Sequence, residues 1–310
     1  MKKMMTRLIA LSMCLCACLG LTACGSKADY TVGVVQLMEH ESLDKATNGF
    51  VDALEEELEK QGLTVEFDIQ VAGEANLCTT VVNTLTAKNV DLIMANATPA
   101  LLAAANATTN SKIPVLGTSV TDYNDTFKNN IPENVSGTSD AVEFNEQAKM
   151  MIETLNLVSG DQVGVLYCSN ESNSVIQYEA VKKEFESKGI VVKAYTFSET
   201  TELQTVVTNA ANECKAIYVP SDNTVADNDS VVGTICNDKK VPVYTSYGGA
   251  VCYASLAIDY YELGYETGKM AADILTGKKT PSEIEIKTLT PTNTYNEDLC
   301  KQLGITVPTK

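Results

Sequence analysis

Ala216-Ile217-Tyr218-Val219-Pro220-Ser221-Asp222-Asn223-Thr224-Val225-Ala226 is the stretch whose reading decides the fold. An apolar run stops at Pro220, passes through small polar residues and gives way to helix formers. That is how a buried parallel strand hands over to a helix through a loop rich in hydrogen-bonding groups. Asp91-Leu92-Ile93-Met94-Ala95-Asn96-Ala97-Thr98-Pro99-Ala100 is an earlier version of the same design. Each is followed, after one helix, by a matching strand: Ile113 to Ser119, and Val241 to Ser246. Two copies of one βαβ programme imply two similar α/β lobes. Ligands of open α/β sheets bind just beyond the carboxyl ends of the strands. Two such edges facing each other make a cleft.

The 310 residues are enough for two lobes with separate cores. Lys2, Lys3 and Arg7 precede an apolar run from Leu8 to Leu21, too short for a membrane span and of the length of a signal-peptide core. Leu21-Thr22-Ala23-Cys24 closes it and resembles a bacterial lipobox. That resemblance implies a leader over 1–23, lipid attachment to Cys24, and a mature protein tethered outside the cytoplasmic membrane by a leash over 24–29. An ordinary secretory signal with a chance cysteine is the plainer alternative. Of the 23 Lys and Arg, the three in the leader leave 20 against 40 acidic residues. A surface of net −20 repels nucleic acid and anionic lipid. Cys78, Cys168, Cys214, Cys236, Cys252 and Cys300 form no CxxC pair and lie in or beside apolar runs, so buried free thiols are expected. Arg7 is the only arginine, so an anion bound by the mature chain must rely on N–H groups, hydroxyls, amides or lysine.

Along the chain, Tyr30 to Gln36 reads as the first strand, with a helix from about Leu43 to Gln61. Pro99 suits a first helical position with Thr98 as N-cap. Gln162 to Cys168 mirrors the opening strand, and Val191 to Phe197 and the Ala216 strand repeat the order of the first lobe. Asp259 opens a helix whose Gly264, Gly268, Ala271 and Ala272 permit close packing, and a strand is expected near Ile284 to Thr290. Lobe one is expected over 30–139 plus about 257–285, and lobe two over 140–256 plus about 286–310. No long linker separates them, so strands must cross between the lobes.

Several chemistries lack their residues. His40 is the only histidine, so a Ser-His or Cys-His nucleophile would have to be built on it, and no GxSxG, HExxH or GxxxxGK[ST] sequence occurs. Neither a catalytic site nor a metal or cofactor site is expected. Instead, six strand-end loops converge: Gln36 to His40, Asn96 to Thr98, Thr118 to Asp122, Ser169 to Ser174, Ser221 to Asn223 and Tyr247 to Gly249. The expected ligand-binding residues are Gln36, Glu39, Ala97, Thr98, Thr118, Asp122, Asn173, Ser174, Ser221, Asp222, Asn223, Tyr247 and Asp259. Thr98 and Ser174 at helix N-termini suit a carboxylate, and Asp222 and Asp259, with Glu39, suit a protonated amine. Singly, such residues also serve as caps and turns, and His40 as a cap or loop residue.

The segments Val32 to Asp44, Asp91 to Ala100, Ser169 to Ser174, Ile217 to Ala226 and Ile258 to Gly264 resemble the ABC-transporter substrate-binding lipoproteins of the tryptophan/tyrosine-binding type. This resemblance implies a type I periplasmic-binding-protein fold of two Rossmann-like lobes with three interlobe crossovers. It further implies delivery of an amino acid, often aromatic, to an ABC permease; the chain is expected to act as a monomer. Glu41 departs from the proline common in the family after the histidine. With no tryptophan in the chain, stacking would fall to Tyr123, Tyr247 or Tyr260. The alternatives are a binding protein for a sugar or nucleoside, and a surface adhesin or sensor.

Overall fold

Val32 and Val34 of strand β1 (Tyr30–Gln36) face one core and Val35 the other, because alternate residues of a strand point to opposite faces. Both faces are covered, which is why the run is apolar throughout. The computed structural model describes residues 27–308; the expected leader and Cys24 lie outside the described residues.

From β1 the chain runs through α1 (Glu41–Glu59), β2 (Val65–Val71), α2 (Cys78–Ala87), β3 (Leu92–Asn96), α3 (Thr98–Ala107), β4 (Val115–Val120), α4 (Tyr123–Thr126) and β5 (Val135–Ser139). It then repeats itself as α5 (Phe144–Leu155), β6 (Gln162–Cys168), α6 (Ser172–Ser187), β7 (Val191–Phe197), α7 (Thr200–Glu213), β8 (Ala216–Val219), α8 (Asn223–Asp227), α9 (Asp229–Lys239), β9 (Val243–Thr245) and β10 (Ala254–Ala257). Helix α10 (Tyr260–Leu275), the short strands β11 (Lys287–Thr288) and β12 (Thr292–Tyr295), and α11 (Glu297–Leu303) complete it.

Two six-stranded sheets result, ordered β11-β5-β4-β3-β1-β2 and β12-β10-β9-β8-β6-β7. The two orders are the same programme written twice. Every pairing is parallel except β10 with β12. The chain passes from the first sheet to the second after β5, returns between β10 and α10, and leaves again between β11 and β12. The single strand expected over Ile284 to Thr290 is instead split between the sheets. Pro291 carries no N–H for a continuing ladder, and the chain changes sheet there. Consequently the first sheet holds the chain through Thr288, a few residues beyond the expected boundary.

At the start of α3 the expected cap is displaced by one residue. Ala97, with φ +94° and ψ 155°, holds the N-cap position; Thr98 is the first helical residue and Pro99 follows it. Such backbone is essentially a glycine conformation and is costly for alanine. Cys78, Cys168, Cys214, Cys236, Cys252 and Cys300 are all buried and unpaired.

Helix α10 lies on α1 with backbone nearly touching backbone. A Cβ on Gly264 would overlap the carbonyl of Ala46, one on Gly49 would overlap that of Tyr261, and one on Gly268 would sit 2.5 Å from Phe50 O. Phe50, Leu54 and Leu58 of α1 share a core with Ala271 and Ala272 of α10. Because α1 begins at His40 and α10 at Asp259, this contact sets where the residues at both N-termini stand.

Gly264→Ala forces these helices apart and is expected to cost about 3 kcal/mol, lowering Tm by roughly 5–10 °C. Gly277→Ala, a positive-φ site in open space, tests strain without overlap and should cost ~1 kcal/mol. Thermal denaturation of both variants checks the difference.

Candidate functional site

The carboxyl edges of the two sheets face each other. Six residues from the first lobe and its crossing meet there: His40, Ser42, Leu43, Ser119, Thr121 and Asp140. From the second come Asn173, Ser221, Asp222, Asn223, Ala226 and Tyr247, with Tyr260 at the hinge. The space they enclose is about 10 Å³, room for no more than a water-sized group. His40, Tyr247 and Tyr260 also line an outer pocket of about 400 Å³, together with Lys45, Asp229 and Asp259.

Lobe two's wall is held by carboxylates. Glu171, 5% exposed, accepts five hydrogen bonds. Asn223 N (2.9 Å), Asn223 Nδ2 (2.7 Å) and Asn173 Nδ2 (3.3 Å) donate to Oε2; Thr224 N (2.8 Å) and Thr224 Oγ1 (2.7 Å) donate to Oε1. Asp222 accepts Cys168 N and Ser174 Oγ, each at 2.7 Å, on Oδ2, and caps α8 by accepting Val225 N at 2.9 Å on Oδ1. Burial raises the Asp222 carboxyl well above the usual range, and the nearby charge of Glu171 adds to this. At the hinge, Asp140 accepts Tyr260 Oη at 2.9 Å and Thr121 Oγ1 at 3.1 Å. Burial raises its carboxyl too, against the pull of those two hydroxyls.

His40 holds the N-cap position of α1 in extended backbone and makes no side-chain cap. Its ring reaches across the cleft instead, with Nε2 3.3 Å from Asn223 Oδ1. Among the described residues this is the one side-chain hydrogen bond between the cleft faces of the two lobes. Burial holds the imidazole pKa below its usual value, against the opposing influence of Asn223 and of the carboxylates of Glu171, Asp44 and Asp227. Three buried polar atoms of the cavity wall have no partner: His40 Nδ1, Ser119 Oγ and Asn173 Oδ1. Ser119 also has φ +55°, at the register shift of β4 against β5.

Of the residues expected at the site, Asn173, Ser221, Asp222, Asn223 and Tyr247 line the inner cavity and Asp259 the outer pocket. Gln36 is turned inward, donating to Met38 O and Asp44 Oδ1 and accepting Thr47 Oγ1. Thr118 joins Thr138 and Thr267 in a chain of hydroxyls between sheet and α10. Asp122 caps α4. Ser174 spends its hydroxyl on Asp222, Glu39 is exposed, and Ala97 and Thr98 are buried at the start of α3 and do not line the cavity. Asp259 caps α10 through Tyr261 N and Glu262 N. Tyr123 lies under Gly117 and Gly137, donating to Thr138 O, and is a packing residue of the sheet.

The cavity residues that were not singled out are informative. Ser119 and Thr121 lie within a loop that the pattern marked, but nothing in sequence shows which of its side chains turn inward. Asp140 sits on the first crossing, and Glu171, which precedes its helix, stands behind the wall and holds Asn173 and Asn223; only the fold brings them there. Among the described residues no cluster of His, Cys, Asp and Glu is arranged to hold a metal, and no helix is long and apolar enough to cross a membrane.

The sequence model of the ABC transporter substrate binding protein family matches residues 31–310. A tyrosine-binding protein of Clostridioides difficile is 33% identical over 290 residues, covering 90% of this chain and 82% of that one. Among solved structures, an ABC domain in complex with L-Trp from Streptococcus pneumoniae superposes with a TM-score of 0.80 at 31% identity, over 89% of this chain and 96% of that one. The ligand-free, open structure of a substrate binding protein with adhesive properties from Clostridium difficile gives 0.66, also at 31% identity, over 90% and 96%. At equal identity this chain overlays better on the L-Trp complex than on the ligand-free, open structure.

Asp229, which accepts Tyr247 Oη at 2.7 Å, has its carboxyl pushed up to about 6 by burial. A pKa raised on folding favours the folded state below the unfolded value and withdraws that stability as pH rises through about 6. Asp229→Asn removes the charge and still accepts the hydroxyl. It is expected to stabilise the protein at pH 7.5 by on the order of 1–3 kcal/mol, and to be near neutral at pH 4, as read by denaturant midpoints at both pH values.

Proposed function

The chain belongs to the ABC transporter substrate binding protein family, and from that premise we propose that it closes its two lobes on one free amino acid, with an aromatic side chain, and presents it to an importing permease. Proteins of this family bind a solute outside the cytoplasm and work with an ABC permease; they are not enzymes. The observation that carries the reading is the set of three unpartnered buried atoms, His40 Nδ1, Ser119 Oγ and Asn173 Oδ1, on residues that line one cavity from both lobes. Each costs about 1–3 kcal/mol while unpaired, so a ligand that pairs them stabilises the closed form over the open one. The chemistry of the wall favours an ammonium group: Asn173 Oδ1 and His40 Nδ1 are unpartnered acceptors, Glu171 lies behind them, and no arginine is present beyond Arg7 to hold a phosphate. An amino acid is far larger than 10 Å³, so the lobes must part at the three crossings to admit it and then close around it less completely than they close on each other here. Support for an aromatic side chain comes from the rings of Tyr247 and Tyr260, which line both the inner cavity and the outer pocket, and from the tyrosine- and L-Trp-binding relatives. The Leu21 to Cys24 sequence extends the reading to a lipid anchor on Cys24, holding the protein as a monomer beside its permease.

Thermal-shift screening with the twenty amino acids is expected to show stabilisation by L-tryptophan or L-tyrosine, about 2.7 kcal/mol at a hundredfold excess over Kd. No stabilisation by any of them contradicts the reading.

Closure also buries His40. Its pKa is lower in the closed form than when the open cleft exposes it to water, so acidification below about 6.5 favours the open, protonated form. Affinity for the amino acid is therefore expected to fall between pH 7.5 and pH 5.5. His40→Gln, which keeps a donor for Asn223, should flatten that dependence in calorimetric titrations.

A further inference from the structure

Glu171 does not line the small enclosed space, yet it decides what the wall of lobe two offers. A carboxylate only accepts hydrogen bonds, so each side-chain amide that meets it must turn its NH₂ toward it. Asn223 Nδ2 lies 2.7 Å from Glu171 Oε2, which leaves Asn223 Oδ1 facing His40. Asn173 Nδ2 is divided between Glu171 Oε2 and the carbonyl of Ser221 at 2.7 Å, another pure acceptor, which leaves Asn173 Oδ1 facing the cavity unpartnered. The chain of consequence continues across the cleft. Because Asn223 Oδ1 can only accept, His40 Nε2 must carry the proton. In the neutral ring that burial favours, His40 Nδ1 is then a bare lone pair, and it is the unpartnered atom of that ring.

We propose that Glu171 is a positioning residue: by fixing the amides of Asn173 and Asn223 it presents two acceptors, Asn173 Oδ1 and His40 Nδ1, that together select a ligand bearing an N–H donor such as an α-ammonium group. The inference rests on the amino-acid reading and adds to it which groups meet the amine and what holds them in register. It also assigns Asp222 a supporting place, since its oxygens are taken by Cys168 N, Ser174 and Val225 N.

The test compares affinities for L-tryptophan and for 3-(indol-3-yl)propionate, the same molecule without its amino group. Wild-type protein is expected to prefer L-tryptophan by roughly ten-fold or more. Glu171→Leu releases both amides and should lose most of that preference. Glu171→Gln removes the charge but retains an oxygen for the two amides, and should keep it. Asn173→Leu, which removes one acceptor and leaves Glu171 in place, should weaken the preference even if Glu171→Leu does not fold. His40 is the only histidine, so its ring nitrogens can be read without ambiguity by ¹⁵N NMR of the L-tryptophan complex; Nδ1 should be unprotonated and Nε2 should carry the proton. A proton on Nδ1, or an unchanged preference in Asn173→Leu, overturns the proposal. So does equal loss in Glu171→Gln and Glu171→Leu, which would mark a plain effect of charge. Those results leave amino-acid binding standing, whereas wild-type protein that binds no amino acid overturns both.

Discussion

The contact between α1 and α10 is the constraint on which the site depends. Gly49, Gly264 and Gly268 let the two helices meet at backbone distance. Their N-terminal ends deliver His40, Ser42 and Leu43 from one helix and Tyr260 from the other to the same cavity. A side chain at any of those glycines would displace one end relative to the other. The hinge and the ligand wall are thus set by a single packing surface, and α10 is the element that follows the second crossing.

Against that fixed lobe stands a wall built from unpaired carboxylates. Glu171, Asp222 and Asp140 are all buried, and none meets a lysine among the described residues. Hydrogen bonds from amides, hydroxyls and backbone N–H groups satisfy them instead. Such an arrangement is costly for stability. It leaves hydrogen-bond acceptors, Asn173 Oδ1 and His40 Nδ1, unpartnered along the cleft, which suits an N–H donor. Structure and the proposed function meet at that point.

Much of the fold was legible in the residues. The repeat of strand, polar loop and helix at Asp91 and at Ala216 follows from burial on both faces of a parallel sheet, and that pattern survives in sequence. The small residues of α10 likewise announced close packing. Pro291 splitting the last strand between two sheets was not legible, because a two-residue strand carries no periodicity. The site was legible in part. Loops at strand ends could be named, but Gln36 and Thr118 turn inward to brace the sheet while Ser119, one residue on, turns to the cavity through a positive φ. Alternation along a strand predicts facing only until the strand bulges. Glu171 reads in sequence as one more loop residue; its importance lies in five donors, one from Asn173 two residues on and four from Asn223 and Thr224, some fifty residues further along the chain.

The central claim is that the closed cleft holds a free amino acid. Mass spectrometry of the small molecules released on denaturing protein that was purified gently, without refolding, tests it most directly. The account predicts one amino acid, tryptophan or tyrosine, approaching one equivalent per chain. A sugar, nucleoside or other molecule without an amine, recovered in that stoichiometry, would contradict it.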